Sequence, residues 1–85
     1  MMRYRISGDA LTAMLSDGAV VLNLHSKRYF SLNETGTRVW ALLEDNSGLD
    51  EIVQTLTAEY DVAESDARRE VMALVEELLR EGLLV

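Results

Sequence analysis

The chain has 85 residues with no cysteine, no proline and one histidine, which excludes disulfides, thiolate metal sites and any site built on two imidazoles. Apolar residues make up 48%, and 15 acids against 8 bases give a net charge of −7, the wrong sign for a free nucleic-acid binder. A chain this short buries only about 60% of its unfolded surface, so one domain spanning residues 1–85, not an enzyme by itself, is expected.

In chain order, residues 1–8 carry Arg3 and Arg5 with no apolar run behind them, so no signal peptide is read there. The apolar runs Ala19–Leu22 and Leu83–Val85 fall far short of the ~20 residues of a membrane span. A cytoplasmic protein without membrane contact is the expectation. Leu11–Leu15 and Ala19–Leu24 read as strands on either side of Asp17-Gly18, a turn in which glycine would supply positive φ. After the polar break His25-Ser26-Lys27, Arg28–Leu32 is a short strand with two adjacent aromatics. The result is a three-stranded meander, to which residues 3–6 could add a further pairing.

From Asn33 the period becomes 3.6. Asn33 is a good N-cap for a first helix over Glu34–Leu43, with Val39, Trp40 and Leu43 on one face. Ser47 and Asp50 resemble a capping box for a second helix over Leu49–Tyr60, whose stripe is Leu49, Ile52, Val53, Leu56 and Tyr60. A third helix runs over Glu64–Glu81 and stops at Gly82. It carries two apolar stripes: Ala67, Val71, Leu74 and Leu78, and beside them Met72, Val75 and Leu79. One stripe seats a helix on a core; a second is either covered by the sheet or lines a groove.

Charge divides with structure. Residues 1–40 hold five bases and three acids, net +2, and residues 41–85 hold three bases and twelve acids, net −9. This suits a solvated helical face, or a partner whose charges match. The strand Arg28–Leu32, last in the meander, is an edge without proline, guarded only by Lys27 and Arg28. An open edge beside an apolar helix stripe is the geometry of strand addition by an extended peptide. Elsewhere chemistry is sparse. His25 has no second imidazole or thiolate for a metal site, and Asp45–Asp50 departs from a calcium loop in glycine position and in its missing final Glu.

The run from Val21 to Asn33, with its Arg28-Tyr29-Phe30-Ser31-Leu32-Asn33 segment, resembles the PqqD family. The likeness continues through Gly36, Val39-Trp40-Ala41-Leu42-Leu43, Leu49–Val53, Tyr60-Asp61-Val62 and Gly82-Leu83. The resemblance implies an α+β, winged helix-turn-helix-like fold in which a three-stranded antiparallel sheet is followed by, and packed on, three helices. It also implies a non-catalytic, cofactor-free element that binds the leader segment of a ribosomally made precursor peptide by strand addition. Such an element presents the leader to modifying enzymes. These are a leader peptidase of cysteine-protease type and a cyclase in lasso-peptide pathways, or a radical SAM enzyme in the pyrroloquinoline quinone pathway. As a stand-alone domain the chain looks closer to the lasso type.

Carried onto this sequence, the peptide site comprises Arg28, Tyr29, Phe30, Ser31 and Leu32 on the strand, and Arg68, Val71, Met72, Val75 and Leu79 on the third helix. Arg68 would meet an acidic leader residue, or else only pair with Glu64 or Asp66, and Val71 suits the core better than the groove. Phe30 and Leu32, alternating to one face, suit a core equally well, and Tyr29 points the other way, where it can lie on Val21. Ala63 departs from the family's usual Ser or Asp cap. A winged helix also suits DNA, but the second helix carries no base. An edge strand also suits dimerisation, so monomer and homodimer both stay open.

Overall fold

The computed structural model describes residues 4–85. The elements are β1 (Ala10–Leu15), β2 (Gly18–Asn23), β3 (Tyr29–Leu32), α1 (Glu34–Glu44), α2 (Leu49–Glu59) and α3 (Glu64–Arg80). The sheet is antiparallel in the order β1-β2-β3, so the expected meander and α+β architecture are what the chain adopts.

Alternation sorts the sheet into two faces. Ala19 and Val21 of β2 and Leu32 of β3 are buried against the helices with Val39, Trp40 and Leu43 of α1 and Ile52, Val53 and Leu56 of α2. The core stripe of α3 is Ala67, Val71, Val75 and Leu78, all nearly inaccessible. Val75 therefore belongs to the core stripe rather than to the neighbouring one, and Leu74 lies half-buried at the stripe's margin. A charge at Val75 would have to be desolvated among these side chains, so Val75→Glu is a test of folding, not of binding.

Local signals account for the helix ends. Asn33 Oδ1 accepts from the Gly36 N–H at 2.8 Å, a cap worth about 1 kcal/mol. The expected Ser47–Asp50 box is displaced by one residue. Gly48 is the N-cap of α2 and the Glu51 carboxylate accepts its N–H at 2.8 Å. α3 starts at Glu64 behind Ala63 with no side-chain cap, and the acids Glu64 and Asp66 in its first turn suit the helix dipole. Gly82 has φ 72°, the left-handed stop expected of it.

Gly18 serves a purpose other than the expected one. It opens β2 and has no positive φ; a Cβ there would collide with the Leu32 carbonyl of β3. Left-handed backbone falls instead on Lys27 and Asn46, at φ 67° and 62°. Nor do the first residues extend the meander. Arg5 and Val85 exchange main-chain hydrogen bonds at 3.0 and 2.8 Å, and Ser7 donates to Leu83 at 2.9 Å, so the two ends pair with each other. Residue 3 lies outside the described residues.

Candidate functional site between the third strand and the third helix

Both outer strands of a three-stranded sheet have an open side, and the ladder decides which groups they present. The Asn23 N–H donates to the Arg28 carbonyl at 2.7 Å, which makes Asn23 and Arg28 a hydrogen-bonded pair. Antiparallel pairs alternate, so Val21–Phe30 and Ala19–Leu32 are bonded pairs too. Tyr29 and Ser31 then aim their N–H and C=O groups away from β2, to the open side of β3.

That side faces a groove of about 460 Å³ between β3 and α3. One wall is Phe30, Ser31 and Leu32; the opposite wall is Glu70, Val71, Ala73, Leu74 and Glu77 of α3; Val39 and Leu56 lie beneath. Gly36 contributes space at the start of α1, where a Cβ would press on Asn33 Oδ1 and Leu32 Cδ2 at 3.2 and 3.3 Å. A smaller cavity of about 90 Å³ shares Thr35, Leu56 and Glu70 with the groove and continues it toward Tyr60 and Val62.

Of the ten residues read from the sequence, the structure brings Phe30, Ser31, Leu32 and Val71 to this groove. Tyr29 is not among the lining residues, although its main-chain groups point to the same open side of β3. Its side chain is 72% exposed on the outer sheet face beside Leu22, the residue it pairs with, while Val21 points inward. Arg28 turns to the end of α3 and pairs with Glu81 at 3.1 Å. Arg68, Met72, Val75 and Leu79 do not line the groove. Arg68 pairs with Asp50 at 3.0 Å and Glu64 at 3.5 Å; chiefly the hydrogen bond to Asp50 holds its guanidinium above the ordinary value.

The geometry of α3 explains the split. At 3.6 residues per turn, Glu70, Ala73, Leu74 and Glu77 lie on one flank of the core stripe, and Arg68, Met72 and Leu79 on the other. Apolar content pointed to the second flank; the groove lies on the first. Sequence reasoning thus missed Glu70, Ala73, Leu74 and Glu77 as groove residues, and the available signal was Ala73, a small residue between two acids that leaves the helix wall low.

It also missed Asn23, the buried polar residue among those described. Asn23 Oδ1 accepts from the N–H groups of His25 at 2.9 Å and Ser26 at 3.1 Å, and its amide donates to the Glu81 carbonyl at 2.8 Å. It folds the β2–β3 turn and ties it to the end of α3. Both walls of the groove are fixed at that end by one side chain and by the Arg28–Glu81 pair.

The fold and groove define a small α+β domain that offers an open strand edge with a helix wall beside it, the arrangement that admits an extended chain. The family model described as Coenzyme PQQ synthesis protein D (PqqD) matches residues 18–84, and the chain belongs to that family. Two solved structures are similar over nearly the whole length. One is TbiB1 in complex with the TbiA(beta) leader peptide, at 34% identity and a TM-score of 0.90, covering 94% of this chain and 93% of that one. The other is lasso peptide synthetase B1 complexed with the leader peptide, at 31% identity and a TM-score of 0.90, covering 99% of both chains. No curated protein matches the chain. Among the described residues no helix is long and apolar enough to cross a membrane.

Proposed function

We propose that this protein is a non-catalytic, cofactor-free leader-peptide adaptor. It takes the leader of a ribosomally made precursor peptide as a fourth strand on β3 and presents it to a modifying enzyme. The observation that carries the reading is the open side of β3, where Ser31 lines a groove whose opposite wall is α3. Two proteins of the same fold, each above 30% identity, are solved with a leader peptide bound, which supports it. Main-chain bonds to Tyr29 and Ser31 would supply affinity without sequence preference, and the groove would supply selectivity.

The enzyme served is a leader peptidase of the cysteine-protease type, with a cyclase acting after it, and the setting is the cytoplasm. The likeness to lasso peptide synthetase B1 favours this over a radical SAM partner. Nucleic acid is not a ligand in this reading. The test is calorimetry of the purified chain against the leader encoded by the neighbouring precursor gene. A saturable one-to-one isotherm is expected. No heat of binding from a chain that melts cooperatively would overturn the proposal.

A further inference from the structure

The groove carries charge of one sign. Glu70 and Glu77 stand on its helix wall, and among the described residues no Lys or Arg lines it. Of the bases on α3, Arg68 pairs with Asp50 and Glu64, and Arg69 with Asp66 at 3.0 Å; Arg80, three residues beyond Glu77 at the helix end, makes no ion pair with it. Neither Glu70 nor Glu77 has an ion-pair partner among the described residues. Between and beneath them the surface is apolar, made by the buried Leu32, Val39, Leu56 and Val71.

A strand laid on β3 therefore brings its groove-facing side chains beside two exposed carboxylates that have no ion-pair partner among the described residues. Covering an ionised group without a counter-charge is penalised, whereas a cation brought to it makes a charge-assisted hydrogen bond. At the two guest positions opposite these acids, selectivity then comes as much from rejection of acidic and apolar residues as from attraction. The spacing suits a strand. Seven residues of helix separate the two acids by about 10.5 Å. Groove-facing positions four apart on an extended guest are about 13 Å apart, a difference that Lys and Arg stems close.

Resting on leader binding to β3, we infer that the groove selects a cationic leader segment, with Lys or Arg bracketing an apolar residue, and that Glu70 and Glu77 are its specificity-determining residues. The sign is opposite to the one the sequence suggested through Arg68. The sheet-to-helix division of charge acts in the same sense, since the acids gathered in residues 41–85 attract a basic guest at long range.

The experiment uses calorimetry with two synthetic peptides: the leader encoded beside the gene, and the same peptide with every Lys and Arg replaced by Gln. Each is titrated into the wild-type chain and into the Glu70→Gln/Glu77→Gln variant, at low and high sodium chloride. The wild type is expected to prefer the basic peptide by about fivefold at low salt. That preference shrinks at high salt, where exposed charges are screened, and is lost in the variant. Equal binding of both peptides by the wild type, or a preference that survives in the variant, overturns the inference and leaves leader binding standing. A bound segment without Lys or Arg overturns it in the same way. If neither peptide binds a folded wild-type chain, leader binding itself fails and this inference falls with it.

Discussion

The sheet has two open edges, and they are unlike. β1 is the longer, six residues against four, and its ladder leaves the main-chain groups of Thr12 and Met14 pointing outward, while the Ala10 N–H donates to the Ser7 carbonyl at 3.1 Å. Ala10 and Thr12 are half-buried, but the other four side chains are exposed, Leu11 at 56% and Met14 at 69%. A side-chain bond from Trp40 Nε1–H to Thr12 Oγ1 at 2.9 Å ties it to the helices. β3 is short, with Leu32 buried and Phe30 packed against the core, and its outward groups face a helix. By length and openness β1 is the better template for pairing. What β3 has is a second surface. Main-chain bonds alone accept any extended chain; a wall turns an edge into a site.

Proline separates the two edges most sharply. It removes an N–H and is tolerated in a strand where that N–H faces outward. Ser31→Pro deletes a donor that the guest strand needs, and its ring obstructs the pairing. Leader affinity measured by calorimetry should fall at least about thirtyfold, one lost main-chain bond adding to the misfit. Met14→Pro makes the same change on β1 and should leave affinity within about twofold, because that edge has no wall to select a guest. The reverse result would move the guest to β1. Melting curves of both variants show whether the sheet is kept.

The wall can be tested separately from the edge. Leu74 and Leu79 sit on opposite flanks of the core stripe of α3, Leu74 at the groove and Leu79 40% exposed away from it. Leu74→Lys places a charge where the guest must pack and should weaken the leader about tenfold. Leu79→Lys should bind as the wild type does. Loss at Leu79 with none at Leu74 would restore the flank that apolar content favours, and would show that the low wall around Ala73 is incidental.

That pair of variants also marks how far the sequence could be read. The six elements, the Asn33 cap and the Gly82 stop follow from local rules, because caps, turn residues and periodicity act over a few residues. The strand half of the site was legible for the same reason: Arg28–Leu32 had to be the last strand, and the last strand of a meander is an edge. The helix half was not. Periodicity locates a core stripe, but its two flanks are equivalent along the sequence, and which flank meets β3 is set by how α3 crosses the sheet. Asn23 was invisible likewise, since its partner Glu81 lies 58 residues away. The pairing of Arg5 and Ser7 with the last residues is non-local too.

The smallest expected effect lies away from both edges. Arg38 of α1 and Glu59 of α2 form a two-pronged ion pair at 2.8 and 2.7 Å, and the hydrogen bonds from Arg38 hold the Glu59 carboxyl below its ordinary value. A carboxyl whose folded value is depressed stabilises the fold where it is ionised in the unfolded chain too. That contribution is lost as pH falls through the folded value. The melting temperature of Glu59→Gln should therefore lie slightly below that of the wild type at neutral pH, and the two should converge as pH drops beneath the usual carboxylate range. A gap independent of pH would mean that the pair acts through packing alone. Leader affinity at neutral pH should be the same for both chains, because neither Arg38 nor Glu59 touches the groove. A change in affinity here would mean that the groove's shape depends on how α1 is tied to α2, and that the wall of β3 extends beyond α3.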